Sequence, residues 1–339
     1  EAGIIRVAKA ADLVDGAMPE DTIEVTAASA ESNKTGFYYN QCTVTGLEPD
    51  TEYAYQLVNG ETVSAVYTFT TAKDDSFTFL FVGDPQLGAS GDLTGDMEGW
   101  AQTLAAAVKK VPDAAFLLSA GDQVNTADNE KQYSAYLEQT QLYNLPVATV
   151  VGNHDSSSNA YDQHFNVANE SADYGCTNAG GDYWFRYNDV LFLVLNVNDM
   201  STAEHKAFMA EAIAQNEDVS WKIVAMHHSV YSVATHATEG DILQRRNQLV
   251  PVFQELDVDV VLQGHDHVYV RSYMMDGLTP VTGIQSYDNA EMTSVTDTDD
   301  ILYVTGNSAS GSKYYDIQQN VEFAYAAVKS QEYTPTYSE

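Results

Sequence analysis

The sequence predicts an α/β domain preceded by a small all-β sandwich, and three observations lead there. From about residue 74 onward, short apolar runs alternate with amphipathic helical stretches, the pattern of successive βα units. Five of those apolar runs break at once into loops rich in Asp, Asn and His. The first 73 residues show period-two alternation and a strong hairpin signal, with no sustained helical spacing.

Residues 1–73 are rich in Thr, Val, Tyr and Ala. GFYYNQCTVTGL alternates as a strand does, and AYQLV and TVSAVYTFTT flank Asn59-Gly60, a turn dipeptide suited to a tight hairpin. TGLEPDTEYAYQLV reads as a turn followed by a strand with tyrosines on alternate positions. Some 70 residues are short for a sandwich, so its first strands are expected upstream of Glu1. The chain starts with Glu rather than Met and reads as trimmed. The polar stretch Thr70–Ser76 marks the boundary, giving residues 1–73 and 74–339 as two domains. A length of 339 residues agrees with that count.

In the second domain, FTFLFV, AAFLLSA, PVATVV, VLFLVLNV, KIVAM and VDVVLQ have the length and apolar content of buried strands. MEGWAQTLAAAVKKV, KQYSAYLEQTQLY, STAEHKAFMAEAIAQN and ILQRRNQLVPVFQEL are amphipathic at helical spacing. Their alternation predicts a mixed, largely parallel sheet covered by helices. Residues 159–189 read as a long irregular insertion, and the tail after about 318 as polar and Tyr-rich.

Charge excludes several function classes. The net charge of −34 repels phosphate backbones and anionic lipid surfaces, so neither nucleic acid nor membrane docking is expected. No apolar run approaches the roughly 18 residues of a membrane span. Any anionic substrate must be attracted locally, which bound cations would do. The two cysteines, Cys42 and Cys176, form no metal or disulfide motif, and spacing does not say whether they pair.

The strand ends carry the chemistry. They read Gly83-Asp84-Pro85-Gln86, Gly121-Asp122-Gln123-Val124-Asn125, Gly152-Asn153-His154-Asp155, His227-His228 and Gly264-His265-Asp266-His267. In open α/β sheets, ligands bind just past the carboxyl ends of strands. Of eight histidines, only His164 and His205 lie away from these segments or the His236 loop that follows one of them. Carboxylate, carboxamide and imidazole donors without thiolate suit Zn, Fe, Mn or Mg. More than four donors point to two ions, an arrangement that can hold the attacking and leaving oxygens of a phosphoryl displacement.

In this order, Asp84, GDxxN, GNHD, a strand-end His and GHDH resemble the calcineurin-like metallophosphoesterase superfamily, and within it bacterial relatives of purple acid phosphatases. TGLEPDTEYAYQLVNG and VYTFTTA are similar to the fibronectin type III-like domain that precedes the catalytic domain there. The resemblance spans nearly the whole chain and implies a four-layer αββα catalytic domain. It implies two metal ions, Fe, Zn or Mn. Asp84 and His267, with Gln86 as a further donor, would hold the first ion and Asp122 would bridge. Asn153, His227 and His265 would hold the second. His154 would sit beside the substrate phosphate, with Asp155 orienting it, and His236 and Glu239 would line the substrate pocket. His227, first off its strand, is preferred as ligand over His228, which is expected to pack behind it.

Two departures from the family pattern matter. Asn125 stands where purple acid phosphatases carry the tyrosine that colours their iron, so no tyrosinate–iron band is expected. Gln86 replaces a common histidine, and the weaker carboxamide predicts a labile or permissive first site. The resemblance thus implies a phosphomonoesterase in which metal-bound hydroxide attacks phosphorus, acting on a small phosphorylated substrate. A phosphodiesterase or nucleotidase of the same superfamily is the alternative, and a non-catalytic surface protein binding metal or phosphorylated ligands a further one. Resemblance and acidity together suggest a secreted or cell-surface bacterial protein. Substrate and oligomeric state are not written in the sequence.

Overall fold

The computed structural model describes residues 2–73, 76–282, 295 and 298–332. The first region is all β. Strand β1 (Ile4–Lys9) lies antiparallel between β2 (Ile23–Thr26) and a longer strand, Glu52–Asn59. Between these in sequence, β3 (Ala28–Glu31) and β4 (Tyr38–Gln41) form a separate hairpin. The Glu52–Asn59 strand, β5, then turns at Gly60, whose φ of 59° suits the left-handed turn, into β6 (Thr62–Val63). Strand β7 (Tyr67–Thr70) continues back along β5. Val7, Ala8, Tyr53 and Ala54 are buried, and Tyr53 stacks on Phe69 with ring centroids 5.9 Å apart.

This region is fastened to the rest by direct polar contacts. The Asn33 side chain bonds Asn159 Oδ1 (2.8 Å), its backbone N–H donates to Gln163 Oε1 (3.1 Å), and Tyr55 Oη donates to the Tyr143 carbonyl (2.7 Å). Tyr67 packs on Tyr143 with centroids 4.8 Å apart.

The remaining strands divide into two sheets, where the local pattern of the sequence had suggested one. Strands β8 (Leu80–Val82), β9 (Leu117–Ser119) and β10 (Val147–Thr149) form a parallel sheet in the order β10-β9-β8, with helices α1 (Leu93–Lys110) and α2 (Glu130–Leu137) in its crossovers. After a short helix α3 (Ala160–His164), the chain enters an eight-stranded sheet. Its strands are β11 (Tyr183–Tyr187), β12 (Val190–Leu195), β13 (Trp221–Met226), β14 (Val260–Gln263), β15 (Tyr269–Asp276), β16 (Thr279–Pro280), β17 (Ile301–Thr305) and β18 (Ala326–Ser330). Strands β12, β13, β14 and β17 run parallel, and the others pair antiparallel. Helices α4 (Thr202–Ala214) and α5 (Gly240–Glu255) connect the parallel strands.

Side-chain alternation assigns the layers. Leu191, Leu193 and Leu195 of β12 join Phe208, Met209 and Phe253 of α4 and α5 in one core. Phe192 and Val194 point the other way, into a core shared with Phe116, Leu118 and Val150 of the small sheet. Leu80 and Leu117 face the opposite side, against Trp100 and Leu104 of α1 and Tyr136 of α2. The order is therefore helices, small sheet, large sheet, helices: a four-layer αββα sandwich. Strands buried on both faces explain why the runs are continuously apolar. The stretch read as irregular, 159–189, contains α3 and the edge strand β11, and the polar tail contributes β18, which pairs with β15.

Candidate metal centre

The ends of β8, β9 and β10 from the small sheet and of β13 and β14 from the large sheet meet along one edge. Asp84, Asp122 and His227 each bring one ligand atom to within 4.8 Å of the others. All three are buried, at 0%, 2% and 0% exposure. His227 Nε2 is the focus. It lies 3.1 Å from Asn153 Oδ1, 3.2 Å from His265 Nδ1, 3.4 Å from Asp122 Oδ2 and 3.9 Å from Asp84 Oδ2. His267 Nε2 is 3.4 Å from Asp84 Oδ2.

Backbone carbonyls decide which ring nitrogen faces the centre. His227 Nδ1 is 2.8 Å from the Ala120 carbonyl and His267 Nδ1 is 2.8 Å from that of Lys313. An Nδ1–H donated there leaves each Nε2 as the free donor pair, the usual arrangement behind a metal-binding histidine. Asp84 is oriented by the His265 backbone N–H (2.8 and 3.1 Å), and Asp122 by that of His154 (2.8 Å).

The backbone is bent to achieve this convergence. Gln86, Asp122, His265 and His267 have φ of 37°, 49°, 72° and 42°, the left-handed region that L residues enter at a cost. Two of the strand-end glycines are needed for close approach. A Cβ on Gly152 would lie 2.0 Å from Asp122 Oδ1, and one on Gly264 2.4 Å from Asp84 Oδ1.

Electrostatics follow from burying these groups together. Burial, reinforced by the Asp122 charge, pushes the Asp84 carboxyl up to about 7. Burial opposes ionisation of Asp122 too, but the neighbouring His227 and His154 outweigh it and hold the carboxyl below its ordinary value. His227 is driven down by burial and more strongly up by Asp122 and Asp84, reaching about 9. Burial lowers His267 to about 3. Buried carboxylates packed this closely call for a compensating charge, which a dication would supply.

The donor chemistry fits metal ions. Oxygen and nitrogen donors converge without thiolate. Gln86 is wholly buried and its Oε1 has no hydrogen-bond partner, while its Nε2 donates to Asn125 Oδ1 (3.2 Å). A buried acceptor left unmatched is costly unless something else occupies it, and a cation would.

At the mouth, His154 is half-buried with Nδ1 2.8 Å from the Asn125 carbonyl. This corrects the sequence expectation for Asp155. Its carboxylate accepts backbone N–H groups of Gly152 (2.9 Å), Gln123 (3.4 Å) and Val124 (3.5 Å), so it braces the two motif loops, and the Asn125 carbonyl orients His154. Burial with the nearby Asp122 charge pushes Asp155 up to about 8. His228 is buried behind the centre, its ring 4.5 Å from that of His265, and burial holds it well below its ordinary value.

His236 stands beside the centre, 4.3 Å ring to ring from His265, with Nδ1 2.8 Å from Glu239 Oε2. Tyr315 meets the rings of both His236 (5.0 Å) and His267 (5.2 Å) edge to face. Sequence reasoning missed the carbonyls of Ala120, Asn125 and Lys313, because a backbone group carries no residue-type signal. It also passed over Asp266, whose carboxylate between two histidines was visible.

Comparison with known proteins agrees with this geometry. Residues 77–269 match the calcineurin-like phosphoesterase family, and residues 4–71 match the purple acid phosphatase N-terminal domain. Purple acid phosphatase 1 of Ipomoea batatas is 25% identical over 299 residues, covering 81% of this chain and 60% of that protein. The Fe(3+)-Zn(2+) purple acid phosphatase 12 of Arabidopsis thaliana is 25% identical over 261 residues, covering 71% and 53%. The chain spans about half the length of the curated relatives it matches. A purple acid phosphatase structure from Lupinus luteus seeds superimposes with a TM-score of 0.70 at 16% identity, covering 97% of this chain and 63% of that one, a likeness of fold. With more than half its length matching the family model and the donors gathered at the strand ends, the chain belongs to the calcineurin-like phosphoesterase family.

Proposed function

We propose that this chain hydrolyses phosphate monoesters at a centre of two metal ions. The observation that carries the reading is the convergence of Asp84, Asp122, Asn153 and His265 on one imidazole nitrogen of His227. Asp84, Gln86, Asp122 and His267 would hold one ion, and Asp122, Asn153, His227 and His265 the other. Such ions polarise phosphoryl oxygens and lower the pKa of water enough to supply a nucleophile near neutral pH.

The protein's own part lies at the mouth. With Nδ1 committed to the Asn125 carbonyl, His154 would use Nε2 to carry a proton to the leaving group. That proton goes to the leaving alkoxide as the P–O bond breaks and an oxygen from water bonds phosphorus. His236, held by Glu239, supplies a donor to the bound phosphate or the leaving group. The iron–zinc pair named for the Arabidopsis relative is one candidate occupancy. Asn125 offers no phenolate, so the loaded protein should lack a tyrosinate–iron band.

The test is p-nitrophenol release from the monoester and the diester in parallel, after chelator treatment and re-supply of Zn, Mn or Fe. Metal-dependent turnover favouring the monoester supports the reading. A preference for the diester replaces it with a phosphodiesterase. Retained metal with no turnover moves the weight to a binding protein.

A further inference from the structure

We propose that Asp266 is a positioning residue that sets the affinity for substrate through His236. The inference rests on the hydrolase reading above and goes beyond it, because it gives the turn between β14 and β15 two separate tasks. His265 turns its ring nitrogen Nδ1 toward His227 Nε2 (3.2 Å) and His267 turns its Nε2 toward Asp84 (3.4 Å). Asp266, between them and fully buried, points the other way.

Its carboxylate accepts three hydrogen bonds, all from the segment after β13. Ser232 Oγ donates at 2.6 Å and the Ala234 N–H at 3.1 Å, both to Oδ2. The His236 N–H donates to Oδ1 at 2.9 Å. Charge-assisted bonds to a buried carboxylate are the strong ones, and here they fix the backbone of the residue whose ring stands 4.3 Å from His265. Glu239 then fixes the ring's orientation from the far side, at 2.8 Å from Nδ1. The remaining nitrogen, Nε2, is left for a phosphate oxygen or the leaving group. The same turn therefore registers the substrate wall against the metal centre, and a displacement of about 1 Å in such a group can lower efficiency a hundredfold.

Asp266→Asn puts an amide N–H where the loop presents only donors, so one of the three contacts becomes repulsive. Expected are a rise in KM of about tenfold, a kcat within about twofold, and an unchanged metal stoichiometry. Inorganic phosphate should bind the metal-loaded variant correspondingly more weakly, a readout that survives if the esters tested prove not to be substrates. In a His236→Ala background the same substitution should add nothing, because its effect passes through that ring. Ser232→Ala removes one contact without inserting a wrong partner and should show a smaller shift of the same kind, also if the Asn variant folds poorly. Metal loss with a fall in kcat would overturn the proposal by making Asp266 a support of the ligands. Additive effects with His236→Ala, or unchanged KM and phosphate affinity, would overturn it equally.

Discussion

Two buried histidine–carboxylate clusters in this molecule use the same residue types to opposite ends. His205 and Asp182 are exposed by 1% and 0%, and every polar atom in the pair is matched. His205 Nδ1 is 2.7 Å from Asp182 Oδ2 and its Nε2 is 3.1 Å from the Asp199 carbonyl, while Asp182 Oδ1 accepts the Asn196 N–H at 2.8 Å. The His227 cluster is instead oversupplied with acceptors. Two carboxylates, an amide oxygen and a second imidazole surround one nitrogen that has at most one proton to give. A closed pair holds the insertion against α4, whereas an open excess of lone pairs suits a cation. Composition does not separate the two, but the balance of donors and acceptors does.

The strongest way to break the comparison is Asp122→Ala, which removes the carboxylate proposed to bridge the two ions. Metal analysis should find at least one ion lost and turnover reduced to background. Full occupancy would remove Asp122 from its bridging role. Next is His154→Ala, which should lower kcat by about 10²–10⁴-fold, the range of general acid catalysis, at unchanged metal content. The loss should be smaller for p-nitrophenyl phosphate than for an alkyl phosphate, whose leaving group needs the proton more. Equal losses would argue against proton donation.

Breaking the closed pair with Asp182→Ala should cost about 3–5 kcal/mol of stability in urea unfolding, because it strands a buried imidazole, and should leave metal stoichiometry intact. Burial alone would lower His205, but the Asp182 carboxylate and the Asp199 carbonyl outweigh it and the folded value is raised. A group raised on folding contributes its full stability below its unfolded value of about 6.5 and loses it as pH rises through the folded value. The difference between wild type and His205→Gln should therefore shrink with rising pH, and a difference that grows would contradict the assignment. The smallest effect is expected for Asn125→Ala. This removes the Oδ1 that orients the Gln86 amide but keeps the carbonyl that orients His154. Loss of such a second partner should weaken metal affinity about 10–100-fold, while the pH dependence of kcat stays in place.

The fold and the centre were legible in the sequence to different depths. Strand-end motifs such as GDPQ and GHDH could be read because strand, break and donor are consecutive. The division of the strands into two sheets came from the family resemblance and not from the residue pattern, since Leu117 and Leu118 look alike in sequence yet face different cores. Asp155 was misplaced by its proximity to His154 along the chain. Hydrogen bonding runs instead through backbone amides that only the fold brings near. His205 looked incidental because its partner Asp182 lies in a stretch without periodicity.

The split between sheets bears on how the protein assembles. Asp84, Asp122 and Asn153 follow strands of the small sheet, and His227, His265 and His267 follow strands of the large one. Neither sheet alone offers a complete coordination sphere. On the two-ion reading, high-affinity uptake of metal would wait until the two sheets have docked, and ions once taken up would oppose their separation. Metal would then act as a late rivet across the interior seam, and the rate of its escape to a chelator would measure how often that seam opens.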